Sequence, residues 1–238
     1  TGAALSVAGA LLQGATRNPL GDPGILGLTA GAAFAVVTGG AFLGLTATVD
    51  QLWLAALGSA VAMAAVYALS SAARGGARPV TLALTGAAVS AGLTALTSSV
   101  LLSHQATFDT FRRWQVGELT RPDGSFLLLA TPVVLVGLLL GWAVARSLDT
   151  LTLGDALGRG LGTHPALTRT LAGLAVVLLA GTSTALVGPL VFCGLLVPHA
   201  VRVLTGVSYR RVVPACLLAG PSIALLAEAA AEVLSGST

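Results

Sequence analysis

Long runs of apolar and small residues alternate with short polar segments along the whole chain. Five intervals contain no Asp, Glu, Lys, Arg or His: 23–49, 51–73, 79–103, 124–145 and 170–198. Roughly 20 helical residues cross about 30 Å of hydrocarbon, so each interval is long enough to span a bilayer. The runs are continuously apolar and lack the two-residue alternation of barrel strands, which favours membrane helices.

Turn signals divide these runs into about eight predicted membrane-spanning segments. Helices are predicted up to residue 16, at about 25–47, 51–72, 80–103 and 126–145, as two short helices within 170–198, and at about 212–230. The interval 170–198 is too long for one span, and Gly188-Pro189 provides a break in its middle. Pro221 predicts a kink in the last helix. We predict one all-α transmembrane domain over residues 1–238, with polar connections at 17–24, 104–125 and 146–169.

The polar segment before residue 170 contains a short predicted amphipathic helix, LTLGDALGRGLG, at 151–162. Its leucines Leu153, Leu157 and Leu161 are four residues apart, as are Asp155 and Arg159. A helix outside the bilayer needs a surface for its leucines. That surface is either a partner protein or the lipid headgroups.

Composition supports the membrane assignment. The chain is 55% hydrophobic and 9% charged, with a mean hydropathy of +0.91, values that exclude a water-soluble domain of this length. Thirty glycines allow helices to approach closely in lipid. All twelve basic residues are arginines, and the net charge is +3. In a membrane protein the positions of these arginines report on topology, so we expect no nucleic-acid partner.

The loops alternate in charge. One set is rich in arginine: Arg17, Arg74, Arg78, Arg146, Arg159, Arg169, Arg202, Arg210 and Arg211. The other set, around Asp50, 104–125 and the end of the last helix, is acidic overall. Because arginine-rich short loops remain on the cytoplasmic side, the first set is predicted to be cytoplasmic.

The sequence carries few candidates for chemistry. Cys193 and Cys216 lie in apolar runs without metal-ligand spacing, and His199 stands alone, so we predict no metal site and no cofactor. The chain contains no lysine and no P-loop, so energy from ATP must be supplied by another chain. No catalytic triad is recognisable. These residues give no recognisable sign of an enzyme, and by themselves they leave a transport protein and a purely structural protein open.

Two segments carry a family resemblance: GALLQGATRNPLGDPGILGLTAGA at 9–32 and GPLVFCGLLVPHAVRVLTG at 188–206. They resemble the permease subunits of ABC importers for ferric siderophores, haem and vitamin B12. WQVGEL at 114–119, the segment 151–162 and RRVVPACLLAG at 210–220 extend the resemblance over essentially the whole chain. The chain departs from the family in having Asp155 for the usual Glu, Glu228 for the common Asp, and Pro221.

The resemblance implies an inverted-repeat fold of ten helices, of which this chain resembles the second to the ninth, as a fragment. It implies the membrane-spanning permease subunit of an ATP-driven importer for a ferric siderophore or related chelate, in the bacterial inner membrane. Expected partners are ABC ATPase subunits, an extracytoplasmic substrate-binding protein, a second permease copy or homologue, and the lipid bilayer. The alternative is a secondary transporter driven by an ion gradient, although the spans lack the mid-membrane carboxylate expected of many such carriers.

The resemblance also implies three groups of site residues. The predicted cytoplasmic gate comprises Asn18, Pro19, Leu20, Arg78, Pro79, Val80 and Thr81. Seven of the predicted ATPase-coupling residues lie in the region 149–165: Leu153, Gly154, Asp155, Leu157, Arg159, Leu161 and Gly162. The eighth is Arg202. The predicted binding-protein contacts are Arg112, Arg113 and Arg121.

Each group has a simpler interpretation that the residues alone leave open. The turn with Leu20 is either a gate or an ordinary connection between helices. Arg202 either meets the ATPase or caps its own helix. The hydroxyls of one helix either line a transport path or bond within and between helices: Thr81, Thr85, Ser90, Thr94, Thr97 and Ser98. The resemblance implies that the proline-broken segments 18–24 and 188–189 occupy corresponding positions in the two halves; they either line a transport route or are simple turns.

Overall fold

The computed structural model describes residues 1–73, 79–115, 124–190 and 192–235, and the regular structure in these ranges is entirely helical. The helices are α1 (Gly2–Thr16), α2 (Leu28–Leu43), α3 (Thr48–Ala72), α4 (Pro79–Ser103), α5 (Gln105–Gln115), α6 (Gly124–Thr152), α7 (Asp155–Gly160), α8 (Pro165–Val187), α9 (Cys193–Thr205) and α10 (Tyr209–Ser235). A 3₁₀ turn, Pro23–Leu26, precedes α2. The prediction of an all-α fold is confirmed.

Within the described ranges, five helices are long and apolar enough to cross a membrane: α3, α4, α6, α8 and α10. Three more, α1, α2 and α9, are apolar but shorter. These helices agree in number and order with the predicted membrane segments. The first of the two short helices predicted within 170–198 is wrong in length, because α8 has 23 residues and begins at Pro165. The predicted break at Gly188-Pro189 is also confirmed, because α8 ends at Val187 and α9 begins at Cys193.

Helix α1 forms the centre of the bundle. Thirteen of its residues are buried, and it packs against α6, α8, α9 and α10. A helix that is apolar on all sides lies either in a protein core or in lipid, and the burial of α1 places it in the core. Its fully buried Leu11 belongs to a core that also contains Leu148, Leu179 and Val212. The long helices around α1 therefore turn much of their apolar surface outwards.

Helices α2 and α3 make the most extensive helix pair, and two glycines allow it. A Cβ atom on Gly31 would overlap the backbone of Gly58, and one on Gly58 would overlap the backbone of Gly31. Ser59 adds a hydrogen bond to the Leu28 carbonyl at 3.0 Å. In lipid, where no hydrophobic effect drives helices together, such backbone proximity is the main source of attraction.

The helix boundaries differ from the predicted ones where side chains act as caps. Helix α2 begins at Leu28 instead of about 25, because Asp22 accepts a hydrogen bond from the Gly24 N–H at 2.8 Å and starts the 3₁₀ turn. Helix α10 begins at Tyr209 because Asp149 accepts bonds from Ser208 Oγ at 2.8 Å and from Tyr209 N at 2.6 Å. Both carboxylates satisfy backbone donors that a helix start leaves free.

Two predicted polar connections contain helix. Helix α6 continues to Thr152, so Arg146 and Asp149 are helical residues rather than loop residues. The segment 104–125 contains α5, which the sequence analysis missed, although Phe108, Phe111 and Trp114 recur every three residues. Helix α10 remains helical through Pro221.

We expect Gly58→Leu to prevent correct packing of α2 on α3, because the new side chain would meet backbone rather than a movable side chain. Overpacking of this kind costs about 3 kcal/mol or more. The variant should lose most of its monodisperse peak in detergent size-exclusion chromatography. The control is Gly92→Leu on α4, where an added Cβ meets nothing within 4 Å. Equal peaks for the two variants would contradict the proposed crossing.

Candidate functional site

The turn that follows α1 is rigid and presents one leucine. Arg17 ends the helix in the left-handed region at φ 50°, and Asn18 Oδ1 accepts a hydrogen bond from the Leu20 N–H at 3.0 Å. The Gly21 N–H donates to the Asn18 carbonyl at 3.0 Å. These bonds fix the turn locally. Leu20 is left 65% exposed at its tip.

A carboxylate joins this turn to α7 and α8. Asp155 accepts two hydrogen bonds from Arg169 at 2.9 and 2.8 Å and also forms an ion pair with Arg17. The Arg169 Nε–H in turn donates to the Ala15 carbonyl at the end of α1 at 3.3 Å. We call this group of Arg17, Asp155 and Arg169 the Asp155 clamp. Arg159, four residues after Asp155, donates from Nε to the Asp155 carbonyl at 3.2 Å.

The clamp keeps its carboxylate ionised. The hydrogen bonds from Arg169 hold the pKa of Asp155 below its ordinary value, and the charge of Arg17 acts in the same direction, against partial burial. The clamp is therefore fully formed above the ordinary pKa of 3.8 and is lost as the pH falls through the lowered value. Because these side chains are about one third exposed, water screens the pairs, and each contributes on the order of 1 kcal/mol.

Helix α7 presents its leucines to the outside. Leu153, Leu157 and Leu161 are 59%, 62% and 61% exposed. The helix is shorter than predicted, since residues 151 and 152 end α6, and residues with positive φ, Gly154 and Gly162, lie on either side of it. Residues 153–162, which we call the α7 surface, expose three leucines: Leu157 lies in α7, and Leu153 and Leu161 flank it.

The two interrupted segments meet beside α1. Gly194, at the start of α9, lies so close to Asp22 and Pro23 that an added Cβ would approach them to 3.1 and 2.9 Å. Gln13, 1% exposed, donates from Nε2 to the carbonyls of Gly21 and Gly194, at 3.2 Å each. The turn after α1 and the start of α9 are therefore in contact, a relationship that the order of residues could not reveal.

Arg202 faces the interior. Its guanidinium donates to Gln13 Oε1 at 2.5 Å and to the Tyr209 hydroxyl at 3.4 Å, and it lies 5.5 Å from the centre of the Tyr209 ring. The contact of Arg202 with an ATPase stays a prediction. The sequence analysis missed Gln13 as a site residue. Its signal was a long polar side chain within an apolar helix, which in lipid requires partners.

The remaining predicted gate residues lie at the start of α4. Pro79 opens the helix, Val80 is exposed and Thr81 is half-buried, whereas Arg78 lies outside the described residues. The next residue, Leu82, lines a cavity of about 480 Å³ together with residues of α1, α3 and α8. The start of α4 and the end of α1 therefore lie at the same end of the bundle.

The face of α4 that carries hydroxyls borders a larger cavity of about 760 Å³. Its polar lining includes Ser90, Thr94, Thr97, Ser98 and, from α5, Arg112. Thr97 and Ser98 donate to carbonyls of their own helix, at 2.7 and 3.0 Å, while their oxygen atoms remain on the cavity wall. Bonding within the helix and lining a path are thus compatible.

Two of the predicted docking residues fall where the structure gives no side chain. The side chain of Arg113 and the whole of Arg121 lie outside the described residues, while Arg112 is exposed on α5. In the described part of the chain, His, Cys, Asp and Glu form no group of three or more that could hold a metal ion.

An all-helical bundle with five long membrane helices, two interrupted segments in contact and an exposed amphipathic helix defines a multi-pass membrane permease. The model of the FecCD transport family matches residues 1–238, and the chain belongs to this family. The resemblance seen in the sequence is therefore confirmed.

Individual relatives agree with this assignment. The chain is 40% identical to the ferric enterobactin transport system permease protein FepD of Escherichia coli K12, over 98% of this chain and 70% of that protein. It is 37% identical to the iron(3+)-hydroxamate import system permease protein FhuB of Bacillus subtilis 168, over 98% and 61%. The hemin transport system permease protein HmuU of Yersinia pestis is 33% identical, over 98% and 71%.

A solved structure shares the fold. It is described as an inward-facing conformation of a metal-chelate type ABC transporter, and it superposes with a TM-score of 0.88 at 26% identity. The match covers 99% of this chain and 76% of the other. Like the sequence relatives, the neighbour is longer than the chain studied.

We expect Asp155→Asn to lower the melting temperature of the detergent-solubilised permease at neutral pH by about 2–4 °C, since it loses on the order of 1 kcal/mol of clamp energy. The difference from the parent should shrink as the pH falls below 3.8, because the parent then loses its own carboxylate charge. Asp109→Asn on the exposed face of α5 is the control. A difference that stays constant with pH would contradict the role of ionised Asp155.

Proposed function

We propose that this chain is the membrane-spanning permease subunit of an ATP-driven importer in the bacterial inner membrane, carrying a ferric siderophore or a related metal chelate. The named relatives transport ferric enterobactin, iron(3+)-hydroxamate and hemin, which supports a chelate as cargo. The observation that carries the proposal is the α7 surface. It exposes leucines and is tied through the Asp155 clamp to the turn that presents Leu20.

The α7 surface is the proposed docking site of the ATPase. The chain has neither a lysine nor a P-loop, so ATP must be hydrolysed on a separate subunit. Exposed leucines on a helix that spans no lipid gain stability when a partner covers them. A force on α7 would reach Arg17 through the clamp and displace the turn of Asn18, Pro19 and Leu20.

That turn is the proposed cytoplasmic gate, together with Pro79, Val80 and Thr81 at the start of α4 and with Arg78, which lies outside the described residues. The permease forms and breaks no covalent bond. Its contribution is a difference in stability between outward-open and inward-open states, which ATP binding and hydrolysis on the partner shift. Leu20 at the tip of a rigid turn suits an apolar plug that moves as one piece.

The cavity beside α4 is one wall of the proposed path, and a second permease copy or homologue would supply the other wall. Hydroxyls already bonded within their helix offer weak, replaceable contacts, which suit a cargo that must enter and leave. Arg112 borders the outer part of this cavity. It joins Arg113 and Arg121 as the proposed docking group for the extracytoplasmic binding protein.

We expect Leu157→Glu to abolish copurification of the ATPase with the full-length permease, because a charge replaces an apolar contact at the centre of the α7 surface. It should also abolish rescue of iron-limited growth in a permease-deficient strain, tested with a panel of ferric chelates, haem and cobalamin. Leu102→Glu changes an exposed leucine at the end of α4 away from Pro79. It should leave copurification and growth rescue unchanged. Growth rescue that survives ATP depletion but collapses with the proton gradient would refute an ATP-driven importer.

We expect Thr94→Trp to reduce uptake of the chelate at least about tenfold while ATP hydrolysis continues, because the indole would fill much of the path wall. Leu96→Trp, two residues along the same helix and outside the cavity lining, is the size-matched control. Equal uptake by the two variants would show that the cargo does not pass along this face of α4.

A further inference from the structure

Gln13 is a buried amide that the proposed mechanism has not yet used. Both of its polar atoms are occupied, and its partners come from three places: the turn after α1 at Gly21, the start of α9 at Gly194 and the end of α9 at Arg202. One side chain thus binds both interrupted segments and a cation. A polar group this deeply buried is costly unless its bonds are specific and complete.

A proline explains why Gly194 needs this bond. Within α9 the Gly194 carbonyl would accept from the N–H four residues later, but that residue is Pro198, which has no N–H. Gln13 supplies the missing donor from another helix. The Gly21 carbonyl lies in the turn between α1 and the 3₁₀ turn, where no helical donor follows it.

The contacts of Gln13 continue into a closed series around the arginine-rich end of the bundle. Arg202 links Gln13 to Tyr209, and Asp149 of α6 binds the Tyr209 N–H. Helix α6 leads directly into α7, where Asp155 binds Arg17 at the other end of the Leu20 turn. The turn is therefore held at Arg17 by the Asp155 clamp and at Gly21 by Gln13.

Gln13 is not needed to keep α1 and α9 adjacent. A Cβ on Gly9 would overlap the Gly194 carbonyl group, so the two backbones already touch one turn before Gln13. The bond to Gly21 has a different effect, because it attaches the far end of the turn to that crossing. Backbone strain supports this attachment. Arg17 at φ 50° lies next to the first break, and Phe192 at φ 73° lies next to the second. Such backbone conformations persist only where neighbouring residues hold them.

We propose that Gln13 is a positioning residue that makes the Leu20 turn and α9 move as one unit, so that displacement of α7 is converted into movement of the gate. This inference rests on the proposed function. Without the two hydrogen bonds that the Gln13 amide donates to Gly21 and Gly194, α7 would still bind its ATPase. Its displacement would then be absorbed by a loose turn, and ATP would be hydrolysed without transport.

The test measures chelate imported per ATP hydrolysed by the full-length complex in proteoliposomes. Gln13→Met keeps the side-chain shape and loses all three bonds. We expect it to hydrolyse ATP at a rate similar to the parent and to import about tenfold less chelate per ATP, since bonds to buried carbonyls are lost. A ratio equal to that of the parent would overturn the inference.

A second substitution separates positioning from stability. Pro198→Ala returns an N–H to the Gly194 carbonyl, so Gln13→Met/Pro198→Ala should regain melting temperature relative to Gln13→Met. The transport ratio should stay low, because Gly21 remains unattached. A ratio that recovers together with the melting temperature would assign Gln13 a structural role only and would overturn the inference.

A spectroscopic measurement covers the case in which Gln13→Met does not fold. Gln13→Glu keeps the acceptor for Arg202 and loses both donors. Spin labels at Leu20→Cys and Leu204→Cys, with Cys193 and Cys216 replaced by serine, should show a broader distance distribution in this variant than in the parent. Unchanged breadth would overturn the inference. A parent complex that imports no chelate on ATP addition would instead overturn the proposed function, and the inference with it.

Discussion

Every backbone polar group of this chain that lies within lipid must find its partner inside the protein, and the rest of the structure follows from how the interruptions meet this demand. The helices satisfy themselves along most of their length. Where they break, side chains replace the helical partners: Asp22 accepts from the Gly24 N–H, and Gln13 donates to the carbonyls of Gly21 and Gly194. Both breaks are thereby brought against α1, in which 13 residues are buried.

The arginine-rich end is organised by the few carboxylates it contains. Asp155 gathers Arg17 and Arg169 from segments far apart in sequence, and Asp149 starts α10. In this excess of positive charge each aspartate acts as a joint between elements, because a carboxylate with several guanidinium or N–H donors is stable when ionised. The same arrangement occupies the polar side chains of the α7 surface and leaves its leucines exposed.

The distribution of exposed surface agrees with a subunit that works in an assembly. The long helices turn apolar faces outwards, α4 borders an open cavity, and the α7 surface extends from the bundle. Lipid, a second permease and a motor subunit would cover different parts of this surface. In the proposed mechanism, energy would enter as contacts made and lost at these interfaces, which is why a rigid connection between α7 and the Leu20 turn would matter more than any single reactive group.

The sequence by itself determined the number of membrane segments, their helical class, the break at Gly188 and the grouping of Arg17, Asp155 and Arg169 on one side, because run length and loop charge are local properties. It did not predict α5, the true ends of α2 and α6, or the partners of Asp155. Those depend on residues distant in the chain: Arg17 lies 138 positions from Asp155, and Gln13 lies 189 from Arg202. Only the tertiary structure decides such contacts, since a buried amide or carboxylate takes whichever donors the packing of whole helices brings to it.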